Sequence, residues 1–95
     1  MNVIIDIIQG LGGILITLTN VYIWVVIIAA LISFVNPDPY NPIVQFLHRV
    51  TQPAYKIVRK NIKTDFGGID LAPLVIIIAL EVVIVILSSV LNSLH

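Results

Sequence analysis

Residues 71–91 read LAPLVIIIALEVVIVILSSVL, and Glu81 is the only charged side chain among them. As a helix this run would reach about 31 Å, which matches a bilayer hydrocarbon core of roughly 30 Å. An earlier run at 11–35, LGGILITLTNVYIWVVIIAALISFV, has no charged residue and would reach about 37 Å. Neither run alternates polar with apolar residues, and a lone strand pair in lipid would leave backbone groups unpaired. We therefore predict two transmembrane helices.

The composition of the chain agrees with a membrane protein. Of its 95 residues, 59% are hydrophobic and 11% are charged, against about 45–50% and about 25% in soluble domains. Small soluble domains bury the smallest share of their surface, so such a fold could not hide this many apolar side chains. The predicted fold class is an all-α membrane protein, with residues 1–95 forming one unit around a two-helix transmembrane hairpin.

The positive charges of the chain are concentrated between the two apolar runs. All five cationic residues lie in the connection at residues 36–70: Arg49, Lys56, Arg59, Lys60 and Lys63. Because a single short connection joins the helices, the helices must be antiparallel. The positive-inside rule then predicts a cytoplasmic connection and two termini on the outer side of the membrane.

The connection also carries helix signals of its own. Asn41 followed by Pro42 is typical of an N-cap and a first helical position, and residues 43–50 repeat apolar side chains at intervals of three and four. Pro53 is expected to break this helix, so that residues 54–61 form another. We predict two short amphipathic helices that lie in the membrane interface.

The end of the connection prepares the second transmembrane helix. Residues 65–68 read DFGG, which predicts a turn. Asp70 is the expected N-cap of the following helix, and Pro73 falls in its first turn. A carboxylate at that position can accept backbone N–H bonds and face the positive end of the helix dipole.

The five cationic residues form a candidate surface for anionic lipid headgroups or a partner protein. Each basic side chain near a charged membrane contributes about 1 kcal/mol. The alternative is that these residues only fix the topology. Nucleic acid is not an expected partner, because the charges are few and no aromatic stacking platform lies among them.

Glu81 lies halfway along the second run and forms, with Asn20, a candidate intramembrane polar site. An acidic side chain at that depth costs about 2.5–3.5 kcal/mol on insertion scales. It could serve as a proton or ion site, or as a polar contact that holds an oligomer together. The alternative is a hydrogen bond within the hairpin, since Asn20, Tyr22 and Trp24 lie at comparable depth.

The sequence shows no pattern typical of an enzyme. It contains no cysteine, and its two histidines, His48 and His95, lie on opposite sides of the membrane in the predicted topology. No Ser-His-Asp arrangement, phosphate-binding loop or metal-ligand spacing is present. We therefore predict a protein that is not an enzyme and that uses no cofactor or metal.

Several short motifs, taken in order, resemble the YggT family of small bacterial membrane proteins, which has relatives in chloroplasts. The motifs are Leu31-Ile32-Ser33-Phe34, Pro37-Asp38-Pro39-Tyr40-Asn41-Pro42, Thr51-Gln52-Pro53, Lys56-Ile57-Val58-Arg59-Lys60 and Gly67-Gly68-Ile69-Asp70-Leu71-Ala72-Pro73. This chain departs from the family pattern at Phe34, Gln52 and Ala72, where the family usually has Trp, Glu and Ser.

The resemblance implies a role in membrane organisation or assembly at the bacterial cytoplasmic (inner) membrane. The family is associated with division and osmotic stress in bacteria, and with complex assembly or nucleoid distribution in plastids. Many members carry two copies of the unit, whereas these 95 residues hold one and would need self-association to imitate the doubled form. We expect a small scaffold or assembly factor that binds lipid headgroups and a partner membrane protein, or a homo-oligomer. The alternative function is an oligomeric ion or proton conductor that uses Glu81.

Overall fold

The computed structural model describes residues 2–35, 37–67 and 69–94, and it is helical for most of that length. Its elements, in chain order, are α1 (Val3–Phe34), α2 (Pro42–Asn61), β1 (Asp65–Phe66), β2 (Ile69–Asp70) and α3 (Ala72–Asn92). The ends of α1 and α3 that lie away from the connection meet where the Gln9 side-chain amide donates to the Leu91 carbonyl at 3.2 Å. At the other end, where the connection lies, Val26 of α1 packs with Ala72 of α3. The two long helices therefore form an antiparallel hairpin.

Two of the helices, α1 and α3, are long and apolar enough to span a membrane. Only Ala72 and Ile76 are buried in α3, so most of its apolar side chains point away from the protein. Val85 on α3 is 62% exposed and Leu18 on α1 is 60% exposed. Apolar surface in water costs about 25 cal/mol per Å², and a bilayer would remove that cost. The hairpin is thus consistent with a membrane protein.

Helix α1 begins at Val3 rather than at residue 11, where the uncharged run begins. Asn2 caps the helix, since its side-chain oxygen accepts the N–H groups of Ile4 at 2.9 Å and Ile5 at 3.4 Å. An acidic side chain also suits a first helical turn, and Asp6 occupies that turn. The sequence prediction used the absence of charge as the helix boundary, whereas the cap sets the actual start.

The prediction of two short helices in the connection is wrong, because α2 runs without a break through Pro53. A proline inside a helix removes one main-chain donor and crowds the carbonyl four residues earlier. The crowded carbonyl is that of Arg49, and two carbonyls close to it along the helix accept hydrogen bonds from side chains. The Thr51 hydroxyl donates to the Leu47 carbonyl at 2.8 Å, and the Tyr22 hydroxyl of α1 donates to the Val50 carbonyl at 2.7 Å. These contacts support one continuous helix that the local sequence rule did not foresee.

Helix α2 packs against one side of the hairpin. The core joins Val26 of α1, Tyr55 of α2, and Ala72 and Ile76 of α3. The bond from Tyr22 to α2 lies about 18 Å along α1 from the end of that helix, at 1.5 Å per residue. Helix α2 is therefore a third member of the bundle, and its position in the membrane interface stays a prediction.

A two-stranded hairpin leads from α2 into α3. Strands β1 and β2 are antiparallel, with Asp65 opposite Asp70 and Phe66 opposite Ile69. Gly67 in the intervening turn has a φ of 59°, which is a conformation that glycine adopts readily. The predicted turn at 65–68 is thus the tip of this hairpin, although Gly68 lies outside the described residues.

Candidate functional site

A cleft of about 450 Å³ opens at the connection end of the bundle, between α1, α2 and the start of α3. Its lining combines small and apolar side chains from the long helices with polar side chains from α2. The lining residues are Ala29, Ala30, Ser33, Phe34, His48, Gln52, Tyr55, Arg59, Asp70 and Pro73. The cleft therefore brings together residues from four of the sequence motifs that resemble the YggT family.

An ion pair between Arg59 and Asp70 closes one side of this cleft. The other carboxyl oxygen of Asp70 accepts the Thr64 hydroxyl at 2.9 Å and the Ala72 N–H at 3.0 Å. The Arg59 guanidinium also lies over the Tyr55 ring, 5.3 Å from its centroid. A cation over an aromatic face is attracted by the ring quadrupole. Asp70 thus holds the end of α2, the loop before β1 and the start of α3 together.

The surroundings of Asp70 favour its charged form. Partial burial alone would raise the pKa of this carboxyl group, but hydrogen bonds from the Ala72 N–H, Arg59 and Thr64 outweigh burial, so its pKa is lowered from the ordinary value. Burial raises the pKa of the neighbouring Tyr55 hydroxyl, and a hydrogen bond with Thr51 opposes that rise. The carboxylate is therefore a stable ion-pair partner for Arg59 at neutral pH.

The start of α3 differs by one position from the prediction. The cap position is Leu71, with Pro73 in the first turn, whereas Asp70 was the predicted N-cap. Asp70 still accepts the Ala72 N–H. At the start of α2, Asn41 occupies the cap position, and its side-chain oxygen accepts the Ile43 N–H at 2.8 Å.

The five basic residues are exposed, but they do not form one surface. At about 100° per residue, Arg49, Lys56 and Lys60 fall within roughly 40° of one another around α2. Arg59 turns away from them toward Asp70. Lys63 lies beyond the end of α2, beside a shallow pocket that Asp65 and Asp70 also line. We call the set Arg49, Lys56 and Lys60 the basic stripe.

An exposed apolar stripe runs beside the basic stripe on α2. Ile43 is 67% exposed, Phe46 51% and Ile57 66%. The opposite side of the helix is buried against α1 and α3 through Val44, Leu47, Thr51 and Tyr55. Helix α2 thus has a buried face, a basic stripe and an exposed apolar stripe.

Glu81 and Asn20 are both exposed. Within the described residues neither side chain forms a hydrogen bond, so the bond predicted between Glu81 and its hairpin partner is not made. Tyr22 instead donates to Val50 of α2, and Trp24 is 63% exposed. The groove beside Glu81 is otherwise lined by Ile77, Ile78, Val82, Val85 and Ile86. Nothing in the described residues supports the ion-conducting alternative.

No group of three potential metal ligands occurs within the part of the chain that the structure describes. His48 lines the cleft, and His95 lies outside the described residues. Tyr55 and Thr64 hold Arg59 and Asp70 in place, and neither was among the candidate residues predicted from the sequence. Tyr55 stands four residues before Arg59, a spacing that places two side chains together on a helix, whereas nothing local marks Thr64.

Comparison with known proteins identifies the family of the chain. The family model described as CCB3/YggT matches residues 8–91. The chain is also 41% identical over 65 residues to "Uncharacterized protein PA0392" of Pseudomonas aeruginosa, a match that covers 68% of this chain and 32% of that relative. The chain thus spans about a third of that relative's length. No solved structure matches it. The predicted resemblance is confirmed, and the chain belongs to the CCB3/YggT family.

Proposed function

We propose that this protein is a small, non-enzymatic membrane scaffold whose α2 helix binds anionic lipid headgroups on the cytoplasmic side of the bacterial inner membrane. The observation that carries the proposal is the pair of stripes on α2. Phe46 and Ile57 are exposed on one stripe, and the basic stripe follows the same helix beside them. Apolar side chains next to basic ones are typical of helices that lie at a charged membrane surface.

The packing of α2 supports a scaffold rather than a loose anchor. Its buried face is fixed to both long helices through Tyr55 and the cluster around Val26, and the Arg59–Asp70 pair holds its far end. A helix held in this way keeps its exposed stripes at a constant height relative to the hairpin. Partner membrane proteins would then meet the scaffold in a defined orientation.

The lipid part of the proposal is testable by replacing the charges of the basic stripe. The variant Arg49→Gln/Lys56→Gln/Lys60→Gln removes three charges that have no ion-pair partner within the described residues. Each charge contributes about 1 kcal/mol near an anionic surface, or about a fivefold change in lipid binding. Native mass spectrometry in nanodiscs of phosphatidylcholine with phosphatidylglycerol should show that the variant retains far less phosphatidylglycerol.

The matched control keeps the charges and changes the side chains. Arg49→Lys/Lys56→Arg/Lys60→Arg should retain phosphatidylglycerol as the unaltered protein does, and salt should weaken binding in both, because ions screen exposed charges. Equal phosphatidylglycerol retention by the neutral variant and the unaltered protein would contradict headgroup binding by α2.

A further inference from the structure

Near the middle of the two long helices lie one amide and one carboxyl group that form no hydrogen bond within the described residues. Asn20 on α1 and Glu81 on α3 are both exposed, and neither takes part in any hydrogen bond found there. Both lie inside helices that are long and apolar enough to span a membrane. Lipid tails offer no hydrogen bonds, so an amide and a carboxyl group left facing them are unfavourable.

The two side chains lie at nearly the same depth. Gly12 marks a level at which α1 and α3 are in contact, because an added Cβ there would lie 2.6 Å from the Leu91 side chain. At 1.5 Å per residue, Asn20 is about 12 Å from that level along α1, and Glu81 is about 15 Å from it along α3. The difference of about 3 Å is within the reach of their side chains.

Both side chains also lie on the side of the hairpin opposite α2. Tyr22 of α1 donates to α2, and Val26, Ala72 and Ile76 share a cluster with Tyr55 of α2, so these residues lie where the long helices meet α2. A helix turns by about 100° per residue. Asn20 is therefore roughly 140° around α1 from the mean direction of Tyr22 and Val26. Glu81 is roughly 160° around α3 from the mean direction of Ala72 and Ile76. The open face of the hairpin therefore carries one amide and one carboxyl group, on different helices.

We propose that this open face is an interface with a second copy of the chain, in which the Asn20 amide of each copy donates to the Glu81 carboxyl group of the other. A two-fold axis along the membrane normal keeps depth unchanged and places α1 of one copy opposite α3 of the other. The Asn20–Glu81 contact then forms twice, as a self-complementary two-fold interface requires. The inference rests on the membrane placement in the proposed function and not on headgroup binding.

The surroundings of the two side chains suit a helix interface. Gly13 and Thr17 precede Asn20 on the open side of α1, and nothing lies within 4 Å of a Cβ added at Gly13. Small residues allow membrane helices to approach closely, and hydrogen bonds between polar side chains then strengthen the contact. On α3, Glu81 lies in an apolar groove with Val82 and Val85. A second copy is the occupant that supplies both missing hydrogen-bond partners at the right depth.

The test measures self-association by energy transfer between donor- and acceptor-labelled chains in vesicles of pure phosphatidylcholine. These vesicles carry no anionic headgroup, so failure of the proposed lipid binding would not affect the result. Glu81→Ala and Asn20→Ala should each weaken association at least about tenfold, because one substitution removes two symmetry-related hydrogen bonds. Glu81→Gln keeps a hydrogen-bonding group and should stay within about threefold of the unaltered protein.

The matched control is Leu18→Ala, at an exposed position of α1 that lies roughly 160° around the helix from Asn20. It should leave association unchanged, and the double variant Asn20→Ala/Glu81→Ala should be no weaker than either single variant. The proposal is overturned if the unaltered protein is monomeric, if both alanine variants associate as it does, or if Leu18→Ala weakens association equally.

Cross-linking keeps the proposal testable if the alanine variants do not fold. The chain has no cysteine, so single cysteines can be placed one turn from the polar pair, as Thr17→Cys in one copy and Val85→Cys in another. Mild oxidation in the same vesicles should join these two chains, and should not join Leu18→Cys to Val85→Cys. Absence of the first product, or equal yields of both, would contradict the interface.

Discussion

Asp70 connects three parts of the fold through one carboxyl group. It pairs with Arg59 at the end of α2, accepts the Thr64 hydroxyl before β1, and accepts the Ala72 N–H at the start of α3. Hydrogen bonds to a charged acceptor are stronger than neutral ones. A single residue thus fixes how α2 and α3 meet at the cleft.

Replacing Asp70 by asparagine should lower the free energy of unfolding at pH 7 by about 1 kcal/mol, because the partly exposed ion pair is lost while one acceptor oxygen remains. The pKa of Asp70 is lowered in the folded protein. Its contribution is therefore complete above the unfolded-state pKa of 3.8 and is lost as the pH falls through the lower folded value. Reversible unfolding in detergent micelles at pH 7 and at about pH 2 measures this.

Asp65→Asn is the matched control, because Asp65 lies opposite Asp70 in the strand pair and its side chain makes no hydrogen bond within the described residues. It should cause no loss of stability at either pH. A deficit for Asp70→Asn that is the same at both pH values would contradict the role given to the ion pair.

The role of a single residue could be predicted from the sequence where the groups that it contacts are its neighbours in the chain. The Asn41–Pro42 pair marks the start of α2 because a cap and its helix are neighbours in the chain. The partner of Arg59 could not be read in the same way, because Asp70 lies across a turn and a strand pair whose geometry no short motif fixes. The exposed state of Glu81 depends on the rotation of α3 in the bundle, which hydropathy does not determine.

At the scale of elements, α1 and α3 approach closely at Gly12. An added Cβ there would lie 2.6 Å from both terminal carbons of the Leu91 side chain, whereas one at Gly10 would meet nothing within 4 Å. Gly12 is also among the few buried residues of α1. Close approach between membrane helices depends on small residues of this kind.

The variant Gly12→Ile should lower the free energy of unfolding by about 1–3 kcal/mol, because the added side chain overpacks the contact with Leu91. Gly10→Ile is the control at the same end of α1 and should cause no loss. Thermal unfolding of both variants in one detergent measures the difference. Equal stabilities would show that α1 and α3 do not touch at this level.

The two long helices were predictable from hydropathy because a membrane-spanning helix needs only length and apolar composition. The continuity of α2 was not predictable, since Pro53 is a local signal for a break and the Tyr22 hydroxyl that bonds to Val50 comes from another helix. The buried residues of α2 were also predicted only in part, because contacts with other helices decide which of its apolar side chains are buried. Leu47 is 7% exposed, whereas Ile43 and Phe46 point outward, and only packing against α1 and α3 separates these apolar residues.

The whole molecule has different chemistry on its two sides and at its two ends. All five basic residues lie in the connection, with none near either terminus. Helix α2 covers one side of the hairpin near that connection, and the opposite side carries Asn20 and Glu81. This asymmetry is the reason for proposing headgroup contact on the α2 side of the molecule and self-association on the open side.

Cysteine labelling from one side of the membrane shows directly whether the α1–α3 hairpin spans the membrane. In intact cells, an impermeant maleimide should label Ser93→Cys, which lies just beyond α3. It should label Tyr40→Cys, at a position 83% exposed in the connection, only after the membrane is opened. Val82→Cys, next to Glu81, should stay unlabelled in both conditions. Labelling of Ser93→Cys and Tyr40→Cys from the same side, or ready labelling of Val82→Cys, would contradict a hairpin that spans the membrane.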